Sequence, residues 1–84
     1  MEEHILTLEK AMELVKFREI YAIFWMDWHI NTDVEYDALE YLVKNSSLID
    51  LPNVMSLSDE KMELLKDFKG YLVLGFSPYR KSDR

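Results

Sequence analysis

Cysteine is absent from this 84-residue chain, and glycine and proline number only two each. Without cysteine there is neither a disulfide framework nor a thiolate metal site, a composition suited to a reducing compartment. So few turn formers exclude a turn-rich all-β architecture, while 49% aliphatic and aromatic residues exclude a chain too polar to fold. Long apolar runs are missing too. The longest, IYAIFWM at 20–26, is closed off by Glu19 and Asp27, far short of the roughly 20 residues a membrane span requires. The opening MEEHIL is acidic and has neither the basic start nor the apolar centre of a secretory signal. The expectation is a cytoplasmic protein with a single small globular domain over 1–76 and a flexible basic tail over 77–84. A domain of this size buries only about 60% of its unfolded surface, so its core is small.

Basic residues are missing from one region in particular. Between Arg18 and Lys44 lie Glu19, Asp27, Asp33, Glu35, Asp37 and Glu40 with no lysine or arginine, so this segment carries the whole net charge of −6 and the other acids and bases cancel. Interleaved with these acids are Tyr21, Phe24, Trp25, Trp28, Tyr36 and Tyr41, more aromatic surface than so small a core readily absorbs. Rings set among charges are the usual make-up of a protein-binding surface, where rings hold the partner and charges guide its approach.

The local signals read as a mainly α fold. Ser58 is an N-cap, Asp59 and Glu60 follow it, Lys66 and Lys69 lie near the far end, and Gly70 is a candidate left-handed terminator, which predicts a helix over 59–69 with Leu64, Leu65 and Phe68 inward. Thr32 and Glu35 have capping-box spacing and predict a helix over 33–44, with Val34, Ala38, Tyr41 and Leu42 on one face and Asp33, Asp37, Glu40 and Lys44 on the other. Stripes at 8, 11, 12, 15 and at 14, 17, 21, 24, 28 predict a long helix over about 7–28. YLVLGF predicts one short strand over 71–76, and LIDLPNVMS is read as an ordered connection. A lone strand leaves its backbone groups unsatisfied. Its possible partners are HILTL, residues 48–51 or a second subunit. The competing α+β alternative makes 20–28 a strand paired with 71–76.

No motif for chemistry is complete. The acids at 27–37 resemble a calcium loop only at a glance. Starting at Asp27, Asn31 or Asp33 puts Thr32, Tyr36 or Ala38 where the loop glycine belongs, and Ala38, Leu42 or Lys44 where the bidentate glutamate belongs. His29 and Asp33 could share a helix face, but His4 is the only other histidine and there is no H-E-x-x-H. Ser77 in GFSPY lacks the second glycine of a nucleophile elbow, and two glycines cannot build a phosphate-cradling loop. Arg80, Lys81 and Arg84 give basic charge only to the tail, so direct nucleic-acid contact is not expected.

The functional expectation is a non-enzymatic protein-binding module without metal or cofactor: a small acidic inhibitor or adaptor that engages the basic surface of a partner through Asp33, Asp37 and Glu40, with Trp28 and Tyr36 as anchors. Its sharper form is phosphate mimicry against a nucleic-acid-handling protein, in the manner of small phage or mobile-element inhibitors. The alternatives are a structural module that forms a homodimer through the 20–28 segment and, third, a small metal-dependent enzyme using His29 and Asp33.

Overall fold

A computed structural model of the chain describes residues 4–20 and 31–77, with the side chains of 17–20 left aside. Within these residues three helices alternate with four short strands: β1 Ile5–Leu6, α1 Leu8–Ile20, β2 Asp33–Val34, α2 Tyr36–Asn45, β3 Leu48–Leu51, α3 Asp59–Lys66 and β4 Tyr71–Leu74. The strands form two parallel pairs, β1 with β2 and β3 with β4. The fold is therefore an α+β mix rather than helices with a single strand. Parallel neighbours need a crossover connection, and here α1 lies in one crossover and α3 in the other.

The first correction concerns Thr32 and Glu35. They do not close a capping box, and α2 does not begin at 33: Asp33 and Val34 are extended, in register with Ile5 and Leu6. Both residues serve the N-terminal segment instead. The Thr32 N–H donates to the His4 carbonyl at 2.7 Å and the Glu35 N–H to the Leu6 carbonyl at 2.9 Å. The Thr32 hydroxyl also donates to the His4 carbonyl, and the Glu35 carboxylate accepts from the Leu8 N–H at 3.4 Å. Glu35, expected inside the helix, is instead the N-cap residue of α2, with no side-chain cap bond of its own. The cap at α1 is Thr7, whose hydroxyl accepts from the Lys10 N–H at 3.2 Å. Thr7→Ala is therefore expected to cost about 1 kcal/mol of stability, and Thr32→Ala less, since its long hydroxyl bond is exposed; urea denaturation midpoints of the two variants check the order.

Of the helix expected over about 7–28, α1 covers Leu8–Ile20, and 21–28 lie outside the described residues. Ala11, Leu14 and Val15 are buried, whereas Met12, expected on the inward stripe, is 47% exposed. α2 is the central element. It packs against α1, α3 and β3 and buries Ala38, Leu39 and Leu42, with Tyr41 and Val43 partly covered. Leu39 thus joins the inward face expected from Ala38, Tyr41 and Leu42, and Val34 is buried as well, but from a strand.

β3 is the second correction, because 48–51, read as part of an ordered connection, is a strand. The Ser46 hydroxyl lies within hydrogen-bond reach of both the carbonyl and the N–H of Leu48, which sets the turn from α2 into β3. Of the three partners foreseen for the C-terminal strand, the structure selects this one, with Leu48 through Leu51 opposite Tyr71 through Leu74. HILTL contributes β1, which pairs with β2 instead. Of the alternative strand at 20–28, Ile20 belongs to α1 and the rest lies outside the described residues.

α3 begins as expected, with the Ser58 hydroxyl accepting from the Lys61 N–H at 3.3 Å. It ends earlier, at Lys66, where the N–H groups of Asp67 and Phe68 bond the carbonyls three residues back and tighten the last turn. Leu65 is buried, with Leu64 and Phe68 packed beside it. Gly70 has no positive φ, so it is not a left-handed terminator. A Cβ there would collide with the Ser47 carbonyl and the Phe68 ring, and the missing side chain is what lets the Tyr71 N–H reach the Ser47 carbonyl at 2.8 Å to open the parallel pair. β4 stops at Leu74, two residues before the expected end.

Candidate functional site

The acidic segment lacks bases in sequence but not in space. Asp33, placed on β2, meets Lys61 of α3 at 3.3 Å, and that lysine side chain is only 18% exposed. Asp33 also accepts from the Val34 N–H at 2.7 Å. Glu40 pairs with Lys44 one turn on, at 3.5 Å. The first contact ties β2 to α3 and the second lies along the surface of α2; exposed and half-exposed pairs of this kind each contribute about 0–1 kcal/mol.

Asp37, in the first turn of α2, is exposed and has no ion-pair partner among the described residues. Tyr36 beside it is 41% exposed. Asp37 and Glu40 line a hollow of about 270 Å³ together with Leu8, Tyr41, Lys44 and Asn45. Tyr41 also lines a second hollow of about 490 Å³, formed with Glu9, Met12, Glu13, Val15 and Lys16 of α1. Tyr41 is a wall of both, so the two hollows adjoin along the groove between α1 and α2. Met12, Val15 and Tyr41 give it apolar surface, and Glu9, Glu13, Asp37 and Glu40 line it together with Lys16 and Lys44; Glu13 is paired with Lys10 at 3.5 Å and Glu40 with Lys44, so the lining keeps a modest excess of carboxylates.

Of the five residues expected at a partner surface, the structure thus places Asp37 and Glu40 in this groove and Tyr36 next to Asp37 in sequence. Asp33 is engaged with Lys61, and Trp28 lies outside the described residues. The α1 contribution was not anticipated. Glu9, Glu13 and Lys16 recur at helical spacing around Met12, a signal hidden when all charges outside 19–40 are summed to zero.

Among the described residues no three histidine, aspartate or glutamate side chains gather as a metal site. Asp33, the carboxylate of the metal-dependent alternative, faces an ammonium group, and His29 lies outside the described residues. No described helix is long and apolar enough to cross a membrane. The site therefore defines an acidic groove on a small α+β domain. No protein-family model, curated protein or solved structure matches the chain.

Proposed function

We propose that this chain is a non-enzymatic, stoichiometric protein-binding module of the cytoplasm, an inhibitor or adaptor whose α1/α2 groove receives a basic segment of its partner. The observation that carries this reading is the groove itself, where apolar surface from Met12, Val15 and Tyr41 runs between carboxylates of two helices. Apolar side chains desolvated on contact supply affinity, and carboxylates around them speed encounter with a cationic surface and disfavour anionic ones. A nucleic-acid-handling protein fits this description best, because its own binding groove is basic and the carboxylates would stand where phosphates sit.

Neutralising all three expected acids together would confound folding with binding, since Asp33 neutralises the largely covered Lys61. The cleaner variant is Asp37→Asn with Glu40→Gln, leaving Asp33 in place. With a partner captured on the full chain and identified, stopped-flow association at low salt is expected to slow by about tenfold in this double variant, with thermal stability little changed. Wild-type association should weaken as added salt shortens the screening length from about 10 Å at 0.1 M to about 3 Å at 1 M. Trp28→Ala should instead speed dissociation, and nucleic acid should compete for the partner. A double variant that binds as fast and as tightly as wild type at low salt reduces the acids to a solvated face and removes this reading.

A further inference from the structure

The β3/β4 pair is covered unevenly. Ile49 and Leu51 of β3 are buried, while opposite them Leu72 and Leu74 of β4 are only half-buried, as is Val73. Parallel sheets are ordinarily covered on both faces, so a half-exposed parallel strand is unusual. Backbone directions show which edge of β4 has no partner among the described residues. The Tyr71 N–H bonds the Ser47 carbonyl and the Gly75 N–H the Val54 carbonyl, so Tyr71, Val73 and Gly75 direct their polar groups toward the β3 side. By alternation Leu72 and Leu74 direct theirs to the opposite edge, where no described residue pairs with them. Natural edge strands are blunted by charge, proline or a bulge. None is seen here: residues 70–77, GYLVLGFS, contain no Asp, Glu, Lys, Arg, His or Pro, and the described register with β3 is unbroken.

We propose that β4 is a dimerisation edge, pairing antiparallel with β4 of a second copy to make a four-stranded sheet across a two-fold axis. The register follows from parity. Directly opposite residues point to one face, so for both cores to lie on the same side of the sheet each pair must combine two core-facing or two outward residues. Centring the axis on Val73 meets this condition. Leu72 and Leu74 of one copy then exchange backbone bonds with Leu74 and Leu72 of the other, and the two Val73 residues form the close, non-hydrogen-bonded pair at the axis. Charge within 69–77 is compatible as well, since Lys69 falls opposite Ser77.

The two most exposed large apolar side chains among the described residues also find partners. Tyr71, 72% exposed, stands at one end of β4, and Met55, 63% exposed, lies by Gly75 at the other. Antiparallel pairing brings Tyr71 of each copy toward Met55 of the other, covering both. An uncharged edge has no means to favour the basic partner proposed for the groove, whereas it complements itself. This inference is independent of the groove reading, and salt separates them: binding of a basic partner weakens as salt rises, while association of two copies that each carry a net charge of −6 does not.

The test is sedimentation of the full chain over a concentration series, with two substitutions. Wild type is expected to sediment as a dimer at high micromolar concentration, and Val73→Lys, which sets two ammonium groups face to face at the axis, to raise the dissociation constant at least tenfold. Cysteine is otherwise absent, so Val73→Cys introduces a single thiol. In the close antiparallel pair the two Cα atoms are about 4.5 Å apart, within disulfide reach. Under mild oxidation Val73→Cys should cross-link at least tenfold faster than Met12→Cys, whose thiol lies on α1. A monomer at several hundred micromolar, or cross-linking of Val73→Cys no faster than Met12→Cys, overturns the proposal; the cysteine comparison decides it even if Val73→Lys does not fold.

Discussion

Leu39→Ala is expected to lower the free energy of unfolding by about 2–5 kcal/mol, the range for truncating a fully enclosed leucine. Leu39 is 0% exposed on the helix that touches α1, α3 and β3 together. The substitution removes its isopropyl group from the middle of the buried cluster, and the hole closes only in part. At about 0.05–0.15 kcal/mol per residue, a domain of this length has only roughly 4–13 kcal/mol in total, so one substitution removes a large share. A melting temperature lowered by at least about 10 °C is the expected reading, since each kcal/mol shifts a small domain by about 4–8 °C. Tyr36→Ala, on the exposed flank of the same helix, should change it little. Equal losses from the two substitutions would mean that α2 is not oriented as described.

Gly70→Ala carries the second large effect, for a reason the sequence does not suggest. The added methyl would meet the Ser47 carbonyl, with the Ser47 carbon at 2.7 Å and the Phe68 ring at 2.6 Å. A side chain can rotate away, but the Ser47 backbone cannot, because that carbonyl accepts the Tyr71 N–H and Leu48 opens β3 immediately after it. Forcing a methyl into so tight a contact costs about 1–3 kcal/mol and occasionally more. Asparagine distinguishes this account from a left-handed cap. Asn is the residue other than glycine that best tolerates a left-handed position, so Gly70→Asn would be nearly harmless if Gly70 terminated α3 that way. With no positive φ at Gly70, Gly70→Asn is expected to be at least as damaging as Gly70→Ala. Urea midpoints for the two variants, compared with wild type, check it.

Elements set by contacts within a few residues were legible in the sequence. α3 is the clearest: its Ser58 cap, acidic first turn and inward Leu65 all act between Ser58 and Leu65, and only its C-terminal end was misplaced. The body of α2 and most of β4 follow from the same local rules of periodicity and β propensity. The outward position of Asp37 and Glu40 on α2 was legible for a related reason, since the outer face of a helix is readable from its period.

What the tertiary structure decided are the features whose partners lie far along the chain. β1 and β2 are two residues long, too short for any period, and exist because Leu6 and Val34 are buried together across a separation of 28 residues. The same pairing overrides the capping box: the amides and side chains of Thr32 and Glu35 have better-placed partners in His4, Leu6 and Leu8 than the first turn of α2 provides. Lys61 likewise reaches Asp33 from 28 residues away and takes one acid out of the expected surface, while Glu9 and Glu13 enter it from α1. Local sequence determined which residues could be helical and where negative charge concentrates. Which carboxylates share a groove and which strand edge lacks a partner among the described residues depended on parallel pairing and helix packing, because those contacts join residues whose distance in sequence holds no information about their distance in space.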